Sequence, residues 1–210
     1  MIIECLTVGP FAENTYLLGD EQSRTAYVID PGGDTDRLLQ LVSNHGLTLQ
    51  SIINTHGHID HIAGVQELRE RTGIPFAIHA GELRILENAP QSAAMFGISN
   101  FRKPEADQFL QAEELLPLGH KTIKVLATPG HSPGGVSFLI DNCVFVGDAL
   151  FAGSIGRTDF PGGDYQTLIS SIKNRLLTLP EDTVVYSGHG PETTVGWERR
   201  TNPFLTGEVL

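Results

Sequence analysis

The sequence predicts an α/β domain, because short apolar segments typical of strands alternate with amphipathic segments typical of helices. Three strand-like segments open the chain, and Pro31-Gly32-Gly33 ends that run. A helix is then expected from Asp34, its predicted cap, to Gly46. A second clear amphipathic helix begins at Asp164. With 40% hydrophobic residues and no linker-like tract, residues 1–210 are expected to form a single domain.

The remaining elements follow from periodicity and from the turn residues that bound them. The predicted strands cover residues 2–8, 14–19, 25–30, 49–54, 76–78, 122–127, 142–146 and 183–186. Further helices are predicted over residues 60–72 and 82–87, and one is expected to start at Pro191. Residues 90–103 are predicted to form a long ordered loop.

Composition excludes several classes of function. The formal net charge is −11 and no basic patch is visible, so a nucleic-acid partner is not expected. The N-terminus has neither a basic lead nor a long apolar segment, so no membrane association is expected and the predicted location is the cytoplasm. Cys5 and Cys143 lie in apolar segments without a CxxC pattern and are predicted to be small buried residues.

The most informative motif is Thr55-His56-Gly57-His58-Ile59-Asp60-His61, which places four potential metal ligands close together. If the preceding strand stays extended to His58, then His56 and His58 point to the same side. Asp60 and His61 would open the following helix, turn away from the first pair, and could serve a second metal. Packing alone would not require four such polar groups in so short a segment.

Three further candidate ligands, His131, Asp148 and His189, each follow an apolar segment. Each would therefore lie where a strand gives way to a loop, on a rigid part of the scaffold. Histidine and carboxylate ligands suit zinc, iron or manganese, and no thiolate adds a preference for zinc.

The chain resembles the metallo-β-lactamase-fold superfamily in motifs that span nearly its whole length. The matching motifs are Asp30-Pro31-Gly32-Gly33, the His56 to His61 cluster, Pro129-Gly130-His131-Ser132-Pro133-Gly134, Gly147-Asp148-Ala149-Leu150-Phe151 and Gly188-His189-Gly190-Pro191. The resemblance implies an αβ/βα sandwich of two mixed β-sheets flanked by helices, with metal ions at one edge.

Two further segments narrow the resemblance. Gly156-Arg157-Thr158-Asp159-Phe160 and the stretch from Glu198-Arg199 to Asn202-Pro203-Phe204 are similar to the short, single-domain bacterial type of glyoxalase II. That family hydrolyses S-(2-hydroxyacyl)glutathione thioesters such as S-lactoylglutathione by attack of a metal-bound hydroxide. The full-length type of that enzyme also carries a C-terminal helical domain for glutathione, which residues 1–210 do not match.

The resemblance also implies roles for individual residues. His56, His58 and His131 would hold one divalent ion, while Asp60, His61 and His189 would hold the other. Asp148 would bridge both ions, which are expected to be zinc, with iron or manganese as alternatives. Asp60 could also orient the attacking hydroxide, which makes it the candidate catalytic residue. Arg157 is the candidate contact for an anionic thioester substrate, with an ion pair to Asp159 as its structural alternative.

Other functions remain open at this point. Persulfide dioxygenases resemble the same motifs and use one iron, which would map to His56, His131 and Asp148. Hydrolysis of another ester or a lactone is a further alternative. A nuclease is disfavoured by the acidic charge, and a binding protein without catalysis is disfavoured because so many buried polar groups are costly without metal.

Overall fold

The computed structural model describes residues 1–207, which form a sandwich of two six-stranded β-sheets with helices on both outer faces. The strands of the first sheet, in spatial order, are β1 (Ile2–Val8), β2 (Glu13–Gly19), β3 (Thr25–Ile29), β4 (Thr48–Ile53), β5 (Phe76–His79) and β6 (Gln108–Leu110). The strands from β1 to β3 pair antiparallel, and those from β3 to β6 pair parallel, so the sheet is mixed.

The second sheet is also mixed. Its spatial order is β14 (Thr193–Thr194), β13 (Val184–Ser187), β10 (Cys143–Gly147), β9 (Val136–Ile140), β8 (Lys121–Ala127) and β7 (Leu115–Leu118). Only β10 and β13 pair parallel. A small separate hairpin contains β11 (Leu150–Phe151) and β12 (Ser154–Ile155). The predicted sandwich of two mixed sheets is therefore confirmed.

The helices cover the two outer faces of the sandwich. They are α1 (Thr35–Asn44), α2 (Ile59–Ile62), α3 (Val65–Thr72), α4 (Leu83–Met95), α5 (Tyr165–Ser171), α6 (Val195–Thr201) and α7 (Pro203–Thr206). A 3₁₀ turn at Ala80–Glu82 leads into α4, and α5 continues into a π-helical turn at Ile172–Leu176. Each helix within residues 1–207 is too short or too polar to span a lipid bilayer.

Three apolar clusters hold these layers together. The central one lies between the sheets and includes Ile53 from the first sheet and Phe138 and Phe145 from the second. A second cluster packs the first sheet against α1, α3 and α4, and a third packs the second sheet against α5 and α6. Alternate residues of a strand point to opposite faces, so both sheets bury side chains on both sides.

Several predicted helix boundaries were wrong. Residues 90–95 belong to α4 instead of a loop, although Pro90 lies inside the helix. Leu86, Ala89 and Ala93 are buried on one face of α4, and this packing outweighs the backbone hydrogen bond that proline removes. The helix predicted over residues 60–72 is divided into α2 and α3 near Gly64.

Two predicted caps had different outcomes. Asp34 stands before α1 in a left-handed conformation, and its side chain caps no backbone N–H but pairs with Arg37. Asp164, in contrast, accepts a hydrogen bond from the Thr167 N–H at 2.7 Å, so its predicted capping of α5 is confirmed. The last predicted helix starts at Val195 with Thr194 as its cap, and Pro191 lies in the preceding loop.

The prediction that both cysteines are buried was also wrong. Cys5 is exposed, because β1 is an edge strand in which only Leu6 and Val8 are buried, and Cys143 is half-buried. Tyr165, the first residue of α5, is exposed.

Candidate metal centre

The candidate ligands converge at one edge of the sandwich, where four strands end. The segment after β4 carries His56 and His58, and α2 then carries Asp60 and His61. On the second sheet, the ends of β8, β10 and β13 lead to His131, Asp148 and His189, as expected from their position after apolar segments. All seven predicted ligands are thereby brought into one cluster that lies between the two sheets.

The first group consists of His56, His58 and His131, whose ligand atoms lie within 4.8 Å of one another. His58 Nδ1 and His131 Nε2 face each other at 2.8 Å. Two neutral imidazole nitrogens at this distance either share one proton or turn two lone pairs toward a common cation. The His56 ring packs edge-on against both of the other rings.

The second group consists of Asp60, His61 and His189, again within 4.8 Å of one another. His189 Nε2 lies 3.2 Å from Asp60 Oδ2, and His61 Nε2 lies 3.9 Å from the same oxygen. The strand-then-helix geometry expected from the sequence accounts for this division, since His56 and His58 precede α2 while Asp60 and His61 belong to it.

Asp148 lies between the two groups. Its Oδ1 is 3.3 Å from His61 Nε2, and its Oδ2 is 3.6 Å from His131 Nε2 and 3.7 Å from His189 Nε2. One carboxylate therefore contacts members of both groups, which is the position that a bridging ligand requires.

Most of the histidines are oriented by a hydrogen bond from the ring nitrogen that faces away from the cluster. His131 Nδ1 donates to the Arg157 carbonyl oxygen at 2.7 Å, and His189 Nδ1 lies 3.3 Å from the Ala12 carbonyl oxygen. Nε2 of both rings is then left with a lone pair. This arrangement is typical of metal-binding histidines, whose other nitrogen donates to a carbonyl or carboxylate.

Asp30 supports two more of the five rings, those of His61 and His56, from behind the cluster. Its Oδ2 accepts from His61 Nδ1 at 3.0 Å and from the Thr55 hydroxyl at 2.5 Å, and its Oδ1 accepts from the Thr55 N–H. The Thr55 oxygen in turn lies 3.0 Å from His56 Nδ1 and can accept its proton. Asp30 could itself join His56 and His61 around a cation, but these hydrogen bonds already use both of its oxygens.

The cluster fits a pair of metal ions better than it fits a set of internal hydrogen bonds. Within residues 1–207, three of its buried atoms have no hydrogen-bond partner: His56 Nε2, His61 Nε2 and Asp148 Oδ1. Buried polar atoms without partners are rare and costly, and bound cations would satisfy all three. The donor set of five histidines and two aspartates suits zinc, iron or manganese.

The electrostatics differ between the two groups. Burial, followed by the neighbouring His131, lowers the pKa of His58 to about 4, so this ring is neutral at pH 7. Burial alone would lower the pKa of His61, but Asp148 and Asp60 raise it well above its usual value. Burial would raise the pKa of Asp60, but His61 and His189 lower it below its usual range, which keeps the carboxylate ionised.

Arg157, the predicted substrate contact, is held by its neighbours at the surface. Its guanidinium is 65% exposed and forms an ion pair with Asp159 at 2.7 Å, which is the expected structural alternative. The guanidinium also lies 4.3 Å from the centre of the Phe160 ring, which in turn packs against His58. Contact between Arg157 and a substrate stays a prediction.

Three buried carboxyl groups near the ligands were not predicted from the sequence. In the sequence, Asp30 belongs to a motif and Glu82 starts a predicted helix, but neither position indicates burial beside the ligands, and Glu13 lies in no motif. Burial raises the pKa of Glu13, which lies 3.7 Å from His61 Nδ1. Asp30 and Glu82 each follow a strand of the parallel part of the first sheet, and this position could have indicated them.

The chain is similar to known proteins along nearly its whole length. The model of the metallo-beta-lactamase superfamily matches residues 8–189. A protein of Haemophilus influenzae named hydroxyacylglutathione hydrolase GloC is 39% identical over 99% of this chain and 100% of its own. The probable metallo-hydrolase YqgX of Bacillus subtilis is 44% identical over 98% of both chains.

Solved structures give the same fold. BLEG-1, described as a B3 metallo-beta-lactamase, has a TM-score of 0.90 at 41% identity and covers 98% of this chain and 100% of its own. TTHA1623 in a di-iron-bound form has a TM-score of 0.87 at 42% identity, over 96% and 100%. ETHE1 from Myxococcus xanthus has a TM-score of 0.83 at 35% identity, over 99% and 85%. Since the family model covers most of the chain and the relatives align along nearly all of it, the chain belongs to the metallo-β-lactamase superfamily.

Proposed function

We propose that this chain is a dinuclear metal-dependent hydrolase that cleaves the thioester bond of S-(2-hydroxyacyl)glutathione, such as S-lactoylglutathione. The observation that carries the proposal is the position of Asp148 in contact with both ligand groups. The similarity to the Haemophilus influenzae GloC protein supports the choice of substrate, because that relative matches the chain from end to end.

Under this proposal, His56, His58 and His131 would hold one ion, Asp60, His61 and His189 would hold the other, and Asp148 would serve both. Bound divalent ions supply a water of lowered pKa and a Lewis acid for the thioester carbonyl. The ionised Asp60, whose Oδ2 lies 3.2 Å from His189 Nε2, is proposed to orient the attacking water. We propose zinc as the first candidate, although the similar TTHA1623 is described with iron.

A thioester suits a site built mainly from metal ligands. The leaving group is a thiolate whose parent thiol has a pKa of about 8.5, so it departs without a strong general acid. An amide would need a proton donor for its leaving amine. Around the cluster lie the hydrogen-bond partners of the ligands, the exposed Arg157–Asp159 pair, and the buried Glu13, which is 3.7 Å from the His61 nitrogen that faces Asp30. The low pKa of the leaving thiol therefore favours a thioester over an amide as the substrate.

The main alternative is a mononuclear iron dioxygenase that acts on glutathione persulfide, and the similarity to ETHE1 keeps an alternative to hydrolysis open. It would use only His56, His131 and Asp148, and would leave four well-placed ligand side chains without a role. Hydrolysis of another ester or a lactone is the second alternative.

The deciding experiment measures the metal content of the purified protein and then two activities. Two ions per chain with hydrolysis of S-lactoylglutathione supports the proposal. One iron per chain with oxygen uptake on glutathione persulfide and no hydrolysis contradicts it. The variant His58→Ala separates the two mechanisms further, since a dioxygenase would retain its rate while the dinuclear hydrolase would lose it.

A further inference from the structure

A buried carboxylate outside the ligand set connects two of the ligand loops. Glu82 ends the 3₁₀ turn between β5 and α4 and is fully buried. Its Oε2 accepts the backbone N–H of Gly57 at 2.8 Å, and its Oε1 accepts the backbone N–H of Gly134 at 2.6 Å. Each oxygen of one side chain therefore holds a different loop.

The two loops carry the first ligand group. Gly57 stands between His56 and His58, and Gly134 lies in the turn that follows His131. Three ligands that come from two sheets are thus connected by one side chain from a third segment. An N–H group donates to each oxygen, which suits the ionised carboxylate, and charge-assisted hydrogen bonds are shorter and stronger than bonds between neutral groups.

The backbone around Glu82 is packed too closely for another arrangement to replace these bonds easily. A Cβ atom at Gly81 would lie 2.8 Å from the Gly134 Cα, and one at Gly57 would lie 3.3 Å from Glu82 Oε2. The loops can approach this closely because glycine has no side chain. Without the carboxylate, both N–H groups would be left buried and unsatisfied.

We infer that Glu82 is a positioning residue that fixes the His56–His58 loop relative to His131, and so sets the coordination geometry of the first metal site. Burial of an acid without a charged partner is costly. At Glu82 this cost is offset because its two oxygens hold two loops in a single arrangement. The inference rests on the proposed metal centre, and it assigns to Glu82 no contact with substrate.

The test is Glu82→Gln, which keeps the size of the side chain but turns an NH₂ group toward one of the two backbone N–H groups. The metal affinity of the first group is expected to fall about 10- to 100-fold, as for the loss of other partners that orient ligands. The affinity of the second group should stay unchanged. Affinities are measured by competition with a chelator, and the absorption spectrum of the cobalt-loaded protein reports the ligand geometry.

The matched control is Glu198→Gln. Glu198 is also fully buried and accepts hydrogen bonds from Gly153, Thr193 and Asn202, none of which is a predicted ligand. Both variants are expected to lower the melting temperature, but only Glu82→Gln should change the cobalt spectrum and the affinity of the first group. Equal effects of the two variants on metal binding would overturn the inference.

A second variant covers the case in which Glu82→Gln fails to fold. Gly57→Ala places a methyl group against Glu82 Oε2 and should reproduce the spectral change more weakly. An unaltered cobalt spectrum in Gly57→Ala would also contradict the inference.

The metal content of the wild-type protein distinguishes a failure of this inference from a failure of the proposed function. If the wild type fails to bind two ions, the proposed function fails. If it binds two and the variants bind them equally well, only the role of Glu82 fails.

Discussion

The Asp30 carboxylate accepts a hydrogen bond from His61 Nδ1 at 3.0 Å and, through the Thr55 hydroxyl, also orients His56. These two histidines belong to different ligand groups. One buried carboxylate behind the cluster therefore supports both proposed metal sites, which distinguishes it from Glu82, whose hydrogen bonds reach only the loops of the first.

Asp30→Asn is therefore expected to weaken both metal sites together. The amide cannot accept all the hydrogen bonds that the carboxylate accepts, and loss of such a partner reduces metal affinity about 10- to 100-fold. Chelator competition measures both affinities. The control is Glu4→Gln, which breaks a carboxylate–histidine pair with His45 at 2.8 Å away from the cluster. A variant Asp30→Asn with two metals at wild-type affinity would contradict this role.

Asp148→Ala is expected to lose metal from both sites and to lose activity. The carboxylate contacts members of both groups, so its removal would withdraw one ligand from each ion and leave two like charges without an anion between them. Metal analysis after gel filtration gives the ions bound per chain. Retention of two ions and of the full hydrolysis rate would exclude a bridging role.

Arg157→Ala should raise the KM for S-lactoylglutathione about three- to tenfold with little change in kcat, if Arg157 binds the anionic substrate. Its partner supplies the control. Asp159→Ala frees the guanidinium from its ion pair and should leave KM unchanged or lower it. If the pair only stabilises the loop, the two variants should have the same effect on KM and on thermal stability, and that result would remove Arg157 from the substrate site.

Metal removal is expected to lower the melting temperature. Ligands that bind only the folded state stabilise it, by about 4 kcal/mol at a concentration a thousandfold above Kd. Treatment with a chelator should therefore produce a large decrease, and one equivalent of zinc should restore only part of it if the chain binds two ions. Full restoration by the first equivalent would indicate a single structural site.

The metal-free protein should also lose stability on acidification because of His58. The pKa of this ring is about 4 in the fold and 6.5 in an unfolded chain. The folded state therefore disfavours the proton, so this contribution is fully present above pH 6.5 and is lost as the pH falls toward 4. The difference in unfolding free energy between wild type and His58→Gln, measured by denaturant titration at several pH values, isolates it. A difference that does not depend on pH would contradict the lowered pKa.

Much of the fold could be predicted from the sequence, because strands with apolar faces and clear turn residues are local signals. The first three strands illustrate this, since each lies within two residues of its predicted bounds. The errors arose where tertiary contacts override local preference. Proline lacks a backbone N–H and usually interrupts a helix, but at Pro90 the burial of the neighbouring Ala89 and Ala93 keeps α4 continuous.

In the candidate site, the metal ligands could be predicted from the sequence, whereas the acidic residues that orient them could not. Histidines spaced as in residues 56–61 are rarely explained by packing, so they were recognised directly. Asp30 and Glu82 are single acidic residues far from the ligands in sequence, and only the parallel pairing of β3, β4 and β5 brings them behind the cluster. The roles of Asp60 and Arg157 stay predictions, since they concern a substrate.

Each ligand group combines side chains that follow strands of both sheets. The thickness of the core between the sheets therefore sets the distance between the ligands from the first sheet and the ligand from the second. Phe138 and Phe145 fill much of that core. Metal–nitrogen distances are defined to within about 0.2 Å. A substitution in this core could therefore change which ion binds without altering any ligand. Metal selectivity would then be encoded in the packing of the whole sandwich, and related chains with identical ligands could differ in it.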